Sequence, residues 1–265
     1  MGMDSARAPL DVAVLEAALA GIALCHPVIY LPVIGSTNTH AVALARAGAV
    51  AGTLVIADEQ PEGRGRVGRA WRSMARQQVL ASVVLRPAFP PHFLVMAAAL
   101  AVAEAVAAVT GARPDIKWPN DVLWAGRKLC GILIETGSDT AGQPFAVLGI
   151  GLNVNGSLAD DAELAGRAAT LAEIAGHPLA REVVAAALFI ALDRYYAALH
   201  DKGAAARADL RADWRARLVT LGQRVRLTQS GTVEEGVAED VDGDGALLLR
   251  RDDGTLLTVT WGDVS

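Results

Sequence analysis

The chain has 265 residues, 52% of them apolar, and a formal net charge of −5; that is apolar material for one large domain or one domain with a small companion, and an acidic total argues against a general nucleic-acid binder. Two unclustered cysteines (Cys25, Cys130) and five scattered histidines argue against a disulfide scaffold and against a metal site built from protein side chains alone. The apolar run over 93–103 ends at Glu104, and the first ten residues carry Asp4 and Arg7 without leading into a secretory apolar core; with a bilayer crossing needing roughly 20 apolar residues, a cytoplasmic protein outside the membrane is expected.

Residues 10–24 have helical periodicity with Asp11 at their start, and 28–34 form a β-like run. Ser36, Thr37 and Asn38 are helix-capping types, and the helix they open should run to about Ala47 and stop at Gly48. A buried strand over 53–57 leads into the stretch GRGRVGRAW at 63–71, and another strand covers 79–85. Pro87, Pro90 and Pro91 precede an alanine-rich helix over 93–109. DIKW, DVLW, RKLCGILIE and FAVLGIGLNV then read as an antiparallel meander with turns at 119–120, 125–126 and 137–142. A short helix near 170–175 and one long helix over about 179–218 follow. From Gly222 onward, QRVRLTQ, VEEGVAEDVD, GALLLRR and LLTVTWGDV, with turns at 242–245 and 252–254, predict a small β-barrel. The expected domains are 1–219, carrying the chemistry, and 220–265.

GRGRVGRAW has glycines at a G-x-G-x-x-G spacing, which a dinucleotide-binding turn also has. Such a turn opens a helix and is followed about 20 residues on by an acid for the ribose. Here no Asp or Glu occurs between Gly63 and Ala103, and the glycines alternate with arginines instead of opening a helix. A P-loop is excluded as well, because no G-K-[ST] follows. Arg64, Arg66, Arg69, Arg72, Arg76 and Arg86 thus form an acid-free island in an acidic chain. Uncompensated guanidinium on a glycine-rich loop suits a phosphate or polyphosphate, with backbone N–H groups able to approach it. A solvated arginine loop and an RNA patch are the alternatives, the second weakened by a single nearby aromatic, Trp71.

A second cluster is DIKWPNDVLWAGRKLCGILIE, which places Lys117, Asn120, Asp121 and Lys128 around one hairpin with apolar flanks. A surface hairpin is the bland reading, but charges against a covered sheet are costly unless paired or used. Asp121 suits Mg²⁺ on a triphosphate and Lys128 a carboxylate or phosphoryl oxygen. In GIGLNVN, the strand-interior Gly149 and Gly151 mark the close approach of a ligand or another backbone.

STN at 36–38, Gln60, GRGRVGRAW, KWPNDV, GRKLCGILIE and GIGLNVN occur in this order, and together they resemble the bacterial biotin–protein ligases from Val28 onward. The resemblance implies an α+β fold: a mixed, mostly antiparallel sheet flanked by helices, like the catalytic domain of class II aminoacyl-tRNA synthetases, with an SH3-like C-terminal barrel. It implies ATP and biotin as substrates, Mg²⁺ as cofactor, and the biotin carboxyl carrier protein as acceptor partner. It implies no membrane, no nucleic acid and no operator binding, since only about 25 residues precede the first strand. By motif position, Ser36, Thr37, Asn38, Gln60, Arg64, Gly65, Arg66 and Lys128 would bind biotin. Arg69, Trp71, Asn120 and Asn153 would face ATP or the adenylate. Arg66, Lys128 and Asp121 would carry catalysis, with Asp121 the Mg²⁺ contact. Two positions depart from some relatives: Val67 stands where an arginine occurs, and Ala168 where a tryptophan packs on adenine. Lipoate or octanoate ligation, and a non-catalytic biotinyl-adenylate sensor, are the competing readings.

Overall fold

A computed structural model describes residues 8–157, 161, 163–229 and 231–265; Asp4 and Arg7, on which the N-terminal expectation rests, lie outside them. The first sheet has seven strands in the order β1-β2-β3-β7-β6-β5-β4. They are β1 (Val28–Val33), β2 (Leu54–Glu59), β3 (Gln78–Leu85), β4 (Asp115–Lys117), β5 (Asp121–Trp124), β6 (Arg127–Ser138) and β7 (Pro144–Asn153). Only β1 and β2 pair in parallel, so the sheet is mixed and mostly antiparallel, as expected.

The two faces of this sheet differ in kind because successive side chains alternate. On one face Val79, Ala81, Val83, Ile132, Leu148 and Ile150 join the main core with α1 (Val12–Leu19), α3 (Phe93–Thr110) and α5 (Arg181–Asp201). On the other, α2 (Thr37–Arg46) packs Ala41 and Ala45 on Val55, Val84, Phe145 and Val147. Beyond the end of that small apolar cluster the same face carries Ser82, Gly131, Gly149 and Gly151, all lining one cavity. The register sets Ser82 beside Gly149 and Gly151 beside Gly131, which in turn faces Asp121. A strip of missing side chains therefore lies across the sheet, and something can sit on it.

Several sequence expectations need correction. The long helix over 179–218 is two helices, α5 and α6 (Gly203–Arg215). Gly203 stands at φ 55°, a left-handed conformation that ends a right-handed helix and that glycine tolerates. Both α3 and α5 are long and apolar enough to cross a membrane by length and composition, beyond what the apolar run ending at Glu104 suggested. The helix expected over 93–109 is α3, and Glu104 within it is paired: Tyr195 O–H donates to it at 2.5 Å and Arg194 forms an ion pair with it. Two-thirds of α3 (67%) is nevertheless buried inside the protein, packed as a core helix.

The short helix α4 (Leu171–Ala175) is capped by Thr170, whose hydroxyl accepts from the Glu173 N–H. The C-terminal sheet runs β11-β10-β9-β8-β12, from β8 (Arg224–Gln229) and β9 (Thr232–Val241) through β10 (Leu247–Arg250) and β11 (Leu256–Val259) to β12 (Asp263–Val264). LLTVTWGDV, expected as one strand, is split between β11 and β12, which lie at opposite edges of the sheet. The buried Trp118 joins the two sheets: its indole N–H donates to Gly245 O at 3.0 Å and its backbone N–H to Thr220 Oγ1 at 2.9 Å.

Candidate active site

The sheet and α2 build a neutral corner first. Ser36 caps α2 by accepting from Thr39 N–H, which puts Thr37 and Asn38 in the first helical turn, against the sheet. Gln60 follows β2. The Thr37 N–H donates to Gln60 Oε1 at 2.6 Å, and the Thr37 hydroxyl donates to the same oxygen at 2.9 Å. A backbone N–H can only point at an acceptor, so the Gln60 amide is fixed with Nε2 as its remaining donor group. Ser82 Oγ lies 2.9 Å from Thr37 Oγ1 and 3.0 Å from Asn38 Oδ1, and donates into that pair. Asn38 Nδ2 donates to Glu135 Oε2 at 2.5 Å. Thr37, Asn38, Gln60 and Ser82 are all buried.

The glycine–arginine stretch is a tight hairpin rather than a loose loop. Gly65 N–H donates to Arg69 O at 2.7 Å, and Trp71 N–H to Gly63 O at 2.8 Å. At the tip, Val67 and Gly68 take φ of 54° and 73°; a β-branched residue rarely accepts that left-handed geometry. A Cβ on Gly63 would stand 2.5 Å from the Trp71 carbonyl oxygen, so the hairpin closes only with glycine there. Trp71 lies on the bare strip of the sheet: a Cβ on Gly151 would stand 2.6 Å from its ring, and one on Gly131 2.9 Å. The strand glycines thus make room for an indole.

The arginines are not uncompensated, contrary to expectation. Arg64 pairs with Glu135 at 3.0 Å, Arg69 with Asp263, Arg72 with Asp161 and Glu163 at 3.1 and 2.7 Å, Arg76 with Asp58 at 4.0 Å, and Arg86 with Asp139 at 2.9 Å. Every one of these acids lies outside the stretch that lacks them. Arg66 differs: its guanidinium donates to Asn120 Oδ1 at 2.7 Å and to Gly262 O at 3.1 Å, two neutral acceptors, and among the described residues it has no carboxylate in an ion pair. Burial pulls its pKa below the ordinary guanidinium range, while Asp263 and Asp121 act the other way.

Across from the hairpin, Lys128 Nζ pairs with Asp121 at 2.7 Å and stands 5.8 Å from the Trp71 ring centre. Asn120 is held by its own N–H₂ donating to Ile132 O at 2.7 Å, which turns its oxygen toward Arg66. These groups line one cavity of about 220 Å³ together with Ser36, Thr37, Asn38, Gln60, Arg64, Gly65, Arg69 and Trp71. Asn153 does not line it. Its amide donates to Lys128 O and Ala169 O at 3.3 and 3.2 Å and accepts from Gln78 at 2.8 Å, so it braces the strand of Lys128 where an adenine contact was expected. Among the described residues no three His, Cys, Asp or Glu side chains gather as a metal site. Asp121 is a single carboxylate paired with Lys128 at 2.7 Å, and Mg²⁺ is commonly held by one or two carboxylates plus substrate phosphates.

Residues 30–155 match the family model "Biotin/lipoate A/B protein ligase family", and residues 220–265 match "Biotin protein ligase C terminal domain". The Mycobacterium tuberculosis biotin–[acetyl-CoA-carboxylase] ligase is 39% identical over 239 residues, covering 87% of this chain and 85% of that protein. The chain belongs to the biotin protein ligase family. The Paracoccus denitrificans biotin–[acetyl-CoA-carboxylase] ligase is 38% identical, covering 81% of this chain and 90% of that one. Among solved structures, the biotin protein ligase from Aquifex aeolicus in complex with biotin and ATP aligns with a TM-score of 0.77 at 27% identity, covering 91% of this chain and 98% of that chain.

Within this biotin ligase site, sequence reasoning missed Ser82, Glu135, Gly262 and Asp263. Ser82 has no local signal in a strand of apolar residues. Glu135 does carry one: a carboxylate ending the apolar run CGILI, on the same strand face as Gly131. Of the two departures, Val67 is exposed at the hairpin tip and Ala168 is buried beside the Lys128 backbone, where Ala169 N–H donates to Lys128 O at 3.0 Å.

Proposed function

We propose that the protein is a biotin–[acetyl-CoA-carboxylase] ligase that joins biotin to ATP as biotinyl-5′-adenylate and then to an acceptor lysine. The single observation that carries this is one cavity with a neutral, internally hydrogen-bonded corner that keeps the Gln60 Nε2 donor in reserve, and a cationic wall. A ureido ring needs neutral donors and acceptors, which the Gln60 amide and its neighbours supply; a carboxylate and a triphosphate need cations. Lipoate and octanoate offer no ureido group, and would leave buried polar atoms of the corner without partners, which disfavours them strongly.

In the first step a biotin carboxylate oxygen bonds to the α-phosphorus and the bond to the β-phosphate bridging oxygen breaks, releasing pyrophosphate. Both reactants are anionic. Arg64, Arg66 and Lys128 lower that repulsion at fixed positions. Asp121 would hold Mg²⁺, which would supply further charge neutralisation. Arg69, Trp71 and Asn120 then face the nucleotide, and Arg66 holds the mixed anhydride. In the second step the neutral lysine amine bonds to the biotin carbonyl carbon and AMP departs; no enzyme nucleophile is required. The acceptor is a carrier domain of a carboxylase, read as the biotin carboxyl carrier protein. The setting is read as the cytoplasm, in keeping with two free thiols, Cys25 and Cys130, that burial pushes far above the usual thiol pKa.

The test is incubation with biotin, Mg-ATP and a biotin carboxyl carrier domain. Biotin on the acceptor lysine with stoichiometric AMP is expected, and excess lipoate should leave labelling unchanged. No transfer, or efficient competition by lipoate, would overturn the reading.

A further inference from the structure

Glu135 does not line the cavity itself but is bonded to one lining residue from each of its halves, Asn38 and Arg64. It lies near the middle of β6, paired with Val147, on the face that carries Gly131. Its Oε2 accepts from Asn38 Nδ2 at 2.5 Å, and Arg64 Nη1 lies 3.0 Å from its Oε1 and 3.2 Å from its Oε2. A carboxylate has no donor, so the Asn38 amide has a single orientation: Nδ2 toward Glu135 and Oδ1 toward Ser82. That orientation gives the Ser82 hydroxyl acceptors on Asn38 and Thr37, and leaves the Thr37 hydroxyl to donate to Gln60 Oε1. The two ends of this chain of hydrogen bonds are thus fixed, by the Thr37 backbone N–H and by Glu135, with the single Ser82 proton between Asn38 Oδ1 and Thr37 Oγ1. A Cβ at Gly149 would collide with Asn38 Oδ1, so the amide is also confined in space.

We propose that Glu135 is a positioning residue for biotin, one that sets the hydrogen-bond polarity of the neutral corner and aims Arg64 at the biotin carboxylate. This rests on the ligase reading above. It also re-reads Asn38, which gives one N–H to Glu135 and its oxygen to Ser82 and so acts on biotin in part through Ser82 and Thr37.

The decisive property is that Glu135 offers two acceptors and no donor. Glu135→Gln keeps the shape but has one oxygen, so its N–H₂ must confront either Asn38 or Arg64. Asn38→Asp turns the pair into two facing carboxylates. In the double variant every group is satisfied again: the new amide on β6 donates to the new carboxylate on α2, its oxygen accepts from Arg64, and Ser82 donates to that same carboxylate.

The experiment measures adenylate formation by pyrophosphate release, with KM for biotin and for ATP taken separately and melting temperature as a folding control. Unaltered protein that forms no adenylate would count against the ligase reading itself, separately from this proposal. Glu135→Gln is expected to raise the biotin KM about 10-fold, the magnitude of one charge-assisted hydrogen bond, with the ATP KM moving less than about 2-fold. Asn38→Asp should raise the biotin KM by about 100-fold, and the biotin KM of the double variant should fall below that of Asn38→Asp alone, a compensation that additive effects cannot give. A biotin KM unmoved by Glu135→Gln, equal shifts for both substrates, or additive losses in the double variant would each overturn the proposal.

Discussion

Gln60 and Arg66 line the same cavity, yet their surroundings are built on different rules. Around Gln60 the side chains are buried and bonded to one another within a few ångströms, in a set drawn from α2 and two adjacent strands, with the Gln60 Nε2 donor left toward the cavity. Around Arg66 the groups are charged, more exposed, and held by residues far away in sequence, including the C-terminal sheet. The neutral corner is preorganised and gains its selectivity from a fixed pattern of donors. The hairpin is anchored by Trp71 at one end and by long-range ion pairs along its length, and it leaves one guanidinium, Arg66, bonded to neutral acceptors only. An incoming phosphate need not displace an acid from Arg66, as it would from Arg64 or Arg69. On the proposed roles, selectivity for biotin and retention of the adenylate are therefore separable.

Substitutions should separate them in graded fashion. The largest effect is expected for Lys128→Ala, which removes a cation from the reacting centre; adenylate formation followed by pyrophosphate release should fall by about 10³-fold, and retention of more than a tenth of the rate would break the contrast. Arg66→Gly should leave biotin binding close to unchanged but let adenylate escape; non-acceptor lysines of added serum albumin should become biotinylated, and undiminished selectivity for the carrier would count against retention by Arg66. Gly151→Ala forces Trp71 off the sheet and should weaken ATP binding by about 10-fold by calorimetry, in line with the loss of one aromatic platform, while the biotin affinity stays the same. Asp263→Ala should do least, because exposed ion pairs contribute about 0.2–1 kcal/mol; a change in melting temperature or ATP KM comparable to that of Gly151→Ala would show that the Arg69 contact is a principal latch.

Much of the fold is legible because periodicity and punctuation agree locally. The capping serine at 36, the apolar runs of β6 and β7 between turn signals, and the glycines after α2 and in the hairpin turns all act over a few residues. The misses are long-range. GRGRVGRAW reads as an uncompensated cation island because its acids come from elsewhere; Glu135 is 71 positions from Arg64 and Asp263 194 from Arg69. Nothing within a window of the chain shows such pairing. The break at Lys202–Gly203 is hidden because alanine-rich sequence on both sides supports a helix regardless of direction. Gly149 and Gly151 do signal close approach, but the sequence does not say that an indole fills the space over one and an asparagine the space over the other. Asn153 lies at the end of the same motif and is spent on bracing the Lys128 strand.

The contact between Arg66 and Gly262 uses a main-chain oxygen. A bond to a carbonyl depends on where the chain runs and hardly at all on which side chains it carries. This contact therefore depends on the path of the last turn, while the Asp263 carboxylate next to it acts on Arg66 through its side chain. For engineering, a swapped C-terminal domain would have to reproduce both that path and an acid at the position of Asp263 to leave the hairpin as it is.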